Sequence, residues 1–490
     1  MLDQQSHHLA TGRHLLQLSR VAGQRIASWD ALILTASSPP QAILYRRQID
    51  LLMHSGRLPE RMRTLVVEDP AGPRIGSGGA TLGALRHAAM AGIPLDGRIL
   101  LIHAGGDSKR LPWASVSGKI FIPFPLHAHP DHPLPSLIEQ LLAALAGLPS
   151  QLEGPCLVAA SGDVLPLFPS AELISVANGM TLVVTAAPLD VACHHGVAAV
   201  NADGRVRDLL QKANAAQLQT AGAIQPDGSA WVDTGLVIIR GDALRAFAQL
   251  ACAPHNPLTV LADGAPGEHE ISLYEELLSV GIPSRHAWLR TRPLGHELLA
   301  VGDKLTLSAW RCPDFGFVHL GTNTEFIAHC QHSWAGKFTR RLLAEHGALV
   351  APDATILTSK LDASVHVGRG SVVISSELGQ RTRIGNRCVV YQVLADDVPL
   401  EIPDNTCLWQ VALSTTTWAT LCCGTDDNPK DSDADTTFLG APLAAWLVAH
   451  GVCAEDVWSA GEPRDLWHAQ LFPVGDAGTA QWHSRSPCDT

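Results

Sequence analysis

Residues 98 to 125 read RILLIHAGGDSKRLPWASVSGKIFIPFP. RILLIHA (98–104) has the continuous apolar character of a strand. Gly105 and Gly106 then allow a tight turn whose successive backbone N–H groups converge into an anion nest. Arg110 and Lys119 can reach a triphosphate bound there, while Lys109 between them is expected to face solvent. Pro112 and Pro123 stiffen a loop that must fold over a ligand. A pattern G-G-x-x-x-R-x-P followed by G-K, placed after a strand, points to a phosphate site. The plainer alternative is a surface turn with solvated charges.

The surroundings put this turn in an α/β frame. WDALILTA (29–36) reads as a buried strand, QAILYRRQIDLLMHSG (41–56) as a helix with a glycine stop, and RTLVVED (63–69) as a second strand. RIGSGGATLGALRHAAM (74–90) reads as a glycine-rich turn running into a helix. GPCLVAASGDVLPL (154–167) is an apolar strand ending in Ser-Gly-Asp, and TLVVTAAP (181–188) is another strand. GVAAVNADGRVRDLLQKA (196–213) suggests a hairpin turning at Asp203-Gly204. WVDTGLVIIRGDALRAF (231–247) suggests a strand followed by a capped helix. Alternation of this kind predicts a largely parallel sheet, with ligands at the carboxyl ends of its strands.

The texture changes near residue 349. Hydrophobics recur at Leu361, Val367, Val373, Leu378, Ile384 and Val390, in steps of five or six. Three hexads starting at Val367, Ile384 and Ile402 share one template, spaced by 17 and 18 residues. This is the hexapeptide signature of a short parallel (left-handed) β-helix of about three coils. The stretch 424–437, GTDDNPKDSDADTT, reads as an exposed loop, and the last fifty residues read as a small helical cap. The expected organisation is an N-terminal extension (1–28), an α/β domain (29–348), the hexapeptide coils (349–412) and the cap (413–490).

Composition limits the rest. The formal charge of −12 over 490 residues argues against a non-specific nucleic-acid binder, so an anionic ligand needs a local basic pocket. No run approaches the roughly 20 apolar residues of a membrane helix. The N-terminal stretch lacks the apolar core of a signal peptide. Eleven scattered cysteines without a CxxC pair argue for free thiols and a cytoplasmic setting, with Cys422-Cys423 read as packing. HAHPDHP (127–133) has three histidines at metal-like spacing, but a proline-rich loop lacks the rigidity a zinc site needs. His194 and His195 point apart on an extended chain, against paired ligation.

Five segments together carry a resemblance. RIGSGGATLGAL (74–85), HAGGDSKRLPWASVSGKIFIP (103–123), SGDVLP (161–166), FVHLGTNTEF (317–326) and GTDDNPK (424–430) resemble the L-fucose-1-phosphate guanylyltransferase family, within the sugar-1-phosphate nucleotidyltransferases. The resemblance implies an α/β domain of GT-A-like, Rossmann-related topology followed by the β-helix. It implies transfer of GMP from GTP to L-fucose 1-phosphate, giving GDP-L-fucose and pyrophosphate with Mg2+. Arg110 and Lys119 would be catalytic cations beside the α-phosphate and the leaving pyrophosphate. Gly76, Ser77, Gly78, Gly79, Gly105 and Gly106 would lie against the nucleotide. Asp163 would be the metal ligand, with an N-cap or turn role as the bland alternative. Asp233 could contact sugar or metal, and Lys212 matches the position of a sugar-phosphate lysine in broader pyrophosphorylases. His319, with Thr322 and Glu325, could touch the sugar or serve an interface. Glu275 is another acidic candidate, more simply a solvated helix residue. Where the family carries an acid before a Leu-Tyr pair, this chain has Ser272, which leaves the second metal ligand open. Bifunctional relatives also contain a sugar kinase; residues 76–81 do not match its phosphate loop, so no fucokinase activity is expected. Assembly through the β-helix is possible, since such coils often mediate it.

Overall fold

Continuous apolar runs form the interior strands, because a strand covered on both faces has no position where a polar side chain reaches water. In the computed structural model β1 (Ala31–Ala36) is buried at every residue. The residues described are 11–14, 28–71, 74–125, 134–170, 178–255, 257–262, 270–302, 304–331, 349–395, 399–431, 435–472 and 474–475. The histidine-rich stretch 127–133 lies outside them. Two compact units are present, Met1–Gly106 with Ile138–Val318, and Asp107–Leu137 with His319–Thr490.

The first unit is a mixed α/β structure, and its sheet is not the largely parallel one expected, because the hairpin and the long strand after it pair antiparallel with their neighbours. After β1 comes α1 (Pro39–His54), started by the Ser38 side chain accepting from Gln41 N and by a proline in the first turn. Its buried residues Ala42, Tyr45, Ile49 and Leu52 recur at helical spacing. Then follow β2 (Arg63–Glu68), α2 (Gly76–Met90), β3 (Arg98–His103) and β4 (Cys156–Ser161). The antiparallel part has β5 (Met180–Ala187), β6 (Gly196–Val200), β7 (Val206–Gln211) and β8 (Ala230–Arg240). Two helices, α3 (Gly241–Ala251) and α4 (Pro257–Ala262), precede β9 (Leu307–Arg311). Among the described residues these nine strands form one sheet in the order β9-β5-β8-β4-β3-β1-β2, with β6 bridging β7 and β8. β1, β2, β3 and β4 run parallel, and β8 runs antiparallel to both β4 and β5. From β1 the chain winds outward to β2, then returns to β3 and β4 on the other side. The border between β1 and β3 is therefore the topological switch point, where the carboxyl ends of the strands leave a crevice.

Two local expectations need correction. The segment 76–79 is not a loop before a helix but the first turn of α2 itself. The helix after β8 has no side-chain cap; Arg240 occupies the N-cap position in extended conformation.

In the second unit, three short parallel ladders run through residues 349–409. One joins Val350, Val367, Ile384 and Ile402; another joins Val373, Val390 and Leu408; the third joins Leu361 and Leu378. Partners along a ladder are 17 or 18 residues apart, and every one of the six residues singled out from the sequence is buried. Each fully buried aliphatic contributes roughly 1.5–3 kcal/mol relative to exposure. Thr406–Ala412 then pairs antiparallel with Trp418–Gly424, closing the stack with a hairpin. The stretch 424–437 is not simply exposed. Asp427 is buried, and its carboxylate accepts from Gly424 N (2.6 Å), Leu439 N (2.7 Å), Gly440 N (3.1 Å) and Thr437 Oγ1 (2.8 Å). Trp446 packs edge-on against Phe438 at 4.9 Å between centroids, giving the cap a core of its own.

Candidate functional site

Four chain segments meet at the carboxyl edge of the first unit's sheet. The turn after β3 is tied to the end of β1: the Thr35 hydroxyl accepts from Ala104 N and Gly105 N, both at 3.2 Å. The Ala104 and Gly105 amides converge on Thr35 and not on an open nest, which commits the Gly105 N–H inside the fold. Tyr45 OH donates to Ala104 O (3.0 Å) and Gln41 Nε2 to Gly106 O (3.0 Å), so α1 holds the other side of the turn. A Cβ on Gly105 would lie 3.3 Å from the Ala36–Ser37 backbone, which explains the glycine there.

The glycines that open α2 serve close packing. Gly76 has φ +72, and a Cβ there would lie 2.4 Å from Ile271 O. A Cβ on Gly78 would lie 2.7 Å from Leu277 Cδ1, and one on Gly79 2.8 Å from Ile75 Cβ. Gly78 N donates to Ile271 O (2.8 Å), and Leu273 N donates to Ser77 Oγ (2.9 Å). One of the free amides expected at this helix start is thus already used by residue 271.

That same 270s segment carries the residue sequence reasoning missed. Ser272 caps a short turn over Leu273–Leu277, accepting from Tyr274 N and Glu275 N. Tyr274 then lies in the field of both Asp233 and Asp163; burial first, and these two carboxylates next, hold its phenol well above the usual range. Only tertiary placement brings together residues 163, 233 and 274. Asp163 follows β4 and accepts from Ser161 Oγ at 2.6 Å. Asp233 sits within β8 and accepts from Gly235 N at 2.8 Å; burial nonetheless pushes its pKa up to about 7. Gly235 has φ +78 beside Ser161, where the two strands come close. Glu276, not Glu275, is the buried acid of this segment, and it pairs with Arg292 Nε at 2.8 Å.

Lys212 is exposed just past β7, in a left-handed conformation (φ +47), its N–H donating to His195 O. It lies on the hairpin that contains Gly196, whose Cβ would stand 3.4 Å from Asp233 Cβ.

Arg110, Lys119 and His319 belong to the second unit. Arg110 is exposed, and Lys119 begins a short 3-10 turn over Lys119–Phe121. Lys109, expected in solvent, instead places its ammonium over the Trp467 ring at 5.5 Å. His319 Nδ1 lies 3.3 Å from Glu325 Oε1. Thr322 and Glu325 form a capping box that starts α5 (Asn323–Cys330), so their polar atoms serve the helix. Trp113, fully buried, donates from Nε1 to Asn323 Oδ1 (3.0 Å) and packs on Tyr391 and Phe326. This anchors the loop carrying Arg110 and Lys119 within its own unit.

Comparison with known proteins gives the family. The fucose pyrophosphorylase domain matches residues 96–477, and the chain belongs to that family. It is 34% identical to the bifunctional fucokinase/GDP-fucose pyrophosphorylase of Arabidopsis thaliana, over 94% of this chain and 48% of the relative. It is 27% identical to the fucose-1-phosphate guanylyltransferase of Mus musculus, over 95% of this chain and 87% of that one. The chain thus spans about half of the plant relative. Among solved structures, HddC from Yersinia pseudotuberculosis is similar at 12% identity and a TM-score of 0.31, over 66% of this chain and 83% of that one; so slight a likeness carries no argument. Among the described residues no helix is long and apolar enough to cross a membrane.

Proposed function

We propose that this chain transfers GMP from GTP to L-fucose 1-phosphate, forming GDP-L-fucose and pyrophosphate. A sugar-phosphate oxygen attacks the α-phosphorus, and the bond to the bridging oxygen of the pyrophosphate breaks. The observation that carries this reading is family membership across residues 96–477, joined to the convergence of Asp163 and Asp233 on Tyr274. We read the first unit's sheet as GT-A-like and the three ladders as a short left-handed β-helix, the 17- and 18-residue spacing supporting the latter.

The work of the protein is to position two anions against their repulsion and to neutralise charge as the leaving group departs. In this reading Arg110 and Lys119 supply the cations. The Gly106 end of the turn and the amides at the start of α2 not taken by residue 271 are read as facing the nucleotide. Lys212 and Asp233, both in the first unit, are read as the sugar-phosphate contacts.

We read the magnesium ion as held on the carboxylate side of this site. Asp163 and Asp233 are close enough to act on one tyrosine, and burial raises the Asp233 pKa toward neutrality, a cost that a divalent cation offsets by favouring the ionised form. Asp163 would hold the metal, which would neutralise phosphate charge. Asp163 is oriented by the Ser161 hydroxyl, and Asp233 by the Gly235 amide.

The deciding experiment measures pyrophosphate release with magnesium across GTP, ATP, UTP and CTP, each with and without L-fucose 1-phosphate. Release with GTP and the fucose phosphate alone supports the proposal. Release with another base or with D-mannose, D-arabinose or L-galactose 1-phosphate redirects the specificity. Silence with all of them overturns it in favour of a non-catalytic relative.

A further inference from the structure

A cavity of about 490 Å³ lies in the first unit at the ends of β1 and β2. Its apolar wall includes Val67, Ile75, Ala80 and Leu258, a lining suited to the faces of a flat ring. Thr35 also lines it, and Thr35 is the residue that holds the Gly105 amide. The cavity and the glycine turn therefore share a side chain.

Most polar groups on this lining already have partners. Glu68 is paired with Arg46. Arg86 Nη1 donates to Ala251 O at 3.0 Å, and His87 Nδ1 lies 2.9 Å from Gly83 O. Asp69 differs. Its backbone N–H is fixed on Ala36 O (2.9 Å), yet among the described residues its carboxylate accepts no hydrogen bond. Burial raises its pKa to about 6, Arg74 opposing and Glu270 adding to the rise. A half-buried carboxylate that meets no donor among the described residues, on the wall of an apolar cavity, is complementary to a ligand edge with two adjacent N–H groups.

We propose that this cavity receives the base of the nucleotide and that Asp69 selects guanine, accepting from its N1–H and its 2-amino group. The inference rests on the nucleotidyl-transfer reading and adds the residue that sets base specificity. Guanine alone among the four bases offers two neighbouring donors to one carboxylate. Adenine and cytosine each set an acceptor nitrogen beside their amino group, and uracil flanks its single N–H with carbonyl oxygens. A volume of about 490 Å³ accommodates a purine with part of its ribose.

The test compares wild type with Asp69→Asn, using GTP, ITP, XTP and ATP in the pyrophosphate-release assay and GDP, XDP and ADP in equilibrium binding. Xanthine carries an oxo group where guanine has its 2-amino group, so the asparagine amide can donate to it. Wild type is expected to favour GTP over ITP by about tenfold. Asp69→Asn is expected to lose about thirtyfold with GTP and to gain correspondingly with XTP. An unchanged GTP:ITP:XTP ranking in a folded variant overturns the base assignment while leaving the transfer reading intact. Selective GDP binding that depends on Asp69, without pyrophosphate release for any sugar phosphate, supports the base site and sinks the transfer reading. Should Asp69→Asn not fold, wild type still decides: equal use of GTP, ITP and 1-methyl-GTP overturns the proposal.

Discussion

His103 Nε2 lies 3.1 Å from the Thr81 hydroxyl, and Thr81 donates in turn to Ser77 O at 2.8 Å. The hydroxyl lone pair is thus left to accept from the Nε2–H of a neutral imidazole. The His103 carbonyl accepts from Gly162 N at 2.9 Å. One residue at the end of β3 therefore binds the start of α2 and the segment leading to Asp163.

Burial lowers the His103 pKa from 6.5 to about 4. The unfolded chain then binds more protons than the folded one between those values, so this residue's contribution is intact above pH 6.5 and lost as pH falls toward 4. Asp69 and Asp233, whose pKa values are raised, push stability the other way over part of that range. The expected result is that wild type minus His103→Gln, followed by urea unfolding, loses stability difference from pH 6.5 down to 4. A difference independent of pH would refute neutral burial of the ring.

Asp163→Asn and Asp233→Asn are each expected to lower kcat by about a hundredfold or more, with magnesium dependence weakened. Circular dichroism should show the fold retained. Magnesium titration of activity separates a metal-holding role from a sugar contact, since loss of a sugar contact alone raises KM for the sugar phosphate and leaves the magnesium curve in place.

Arg110→Ala and Lys119→Ala are expected to lose about a hundredfold in turnover with unchanged melting temperature. The Arg110 side chain is exposed, outside the buried core around Trp113. Wild-type rates in both would remove the 105–119 loop from the chemistry.

Gly78→Ala places a methyl 2.9 Å from Ser272 backbone atoms and 2.7 Å from Leu277 Cδ1. Such overpacking costs about 1–3 kcal/mol. Thermal unfolding should detect it, and the displaced Tyr274 segment should reduce activity further than the loss of folded protein explains.

Asp427→Ala removes the acceptor of three backbone amides and the Thr437 hydroxyl. The expected destabilisation is roughly 2–4 kcal/mol, since buried donors are left without partners. Limited proteolysis should show early cleavage between residues 424 and 440; a protected loop would mean that other contacts hold it.

The sequence by itself determined most of the strands of the first unit, though not its edge strand β9, and the 17- and 18-residue repeat, because each is written in local apolar periodicity. It also identified the glycine turn after β3 and the Ser-Gly-Asp after β4, whose chemistry lies within a few consecutive residues. It read the polar stretch after residue 424 as exposed, because nothing local reveals that Asp427 folds back onto amides twelve and thirteen residues away. It read 76–79 as a loop, because glycine composition gives no hint that residues 271–277 pack against it. Tertiary structure alone set Tyr274 in the fields of Asp163 and Asp233, tied Thr35 to Gly105, and, among the described residues, left the Asp69 carboxylate without a donor in its cavity. The physical reason is range. Periodicity and turn chemistry act over a few residues, whereas desolvation and charge act between whatever residues the sheet order places side by side.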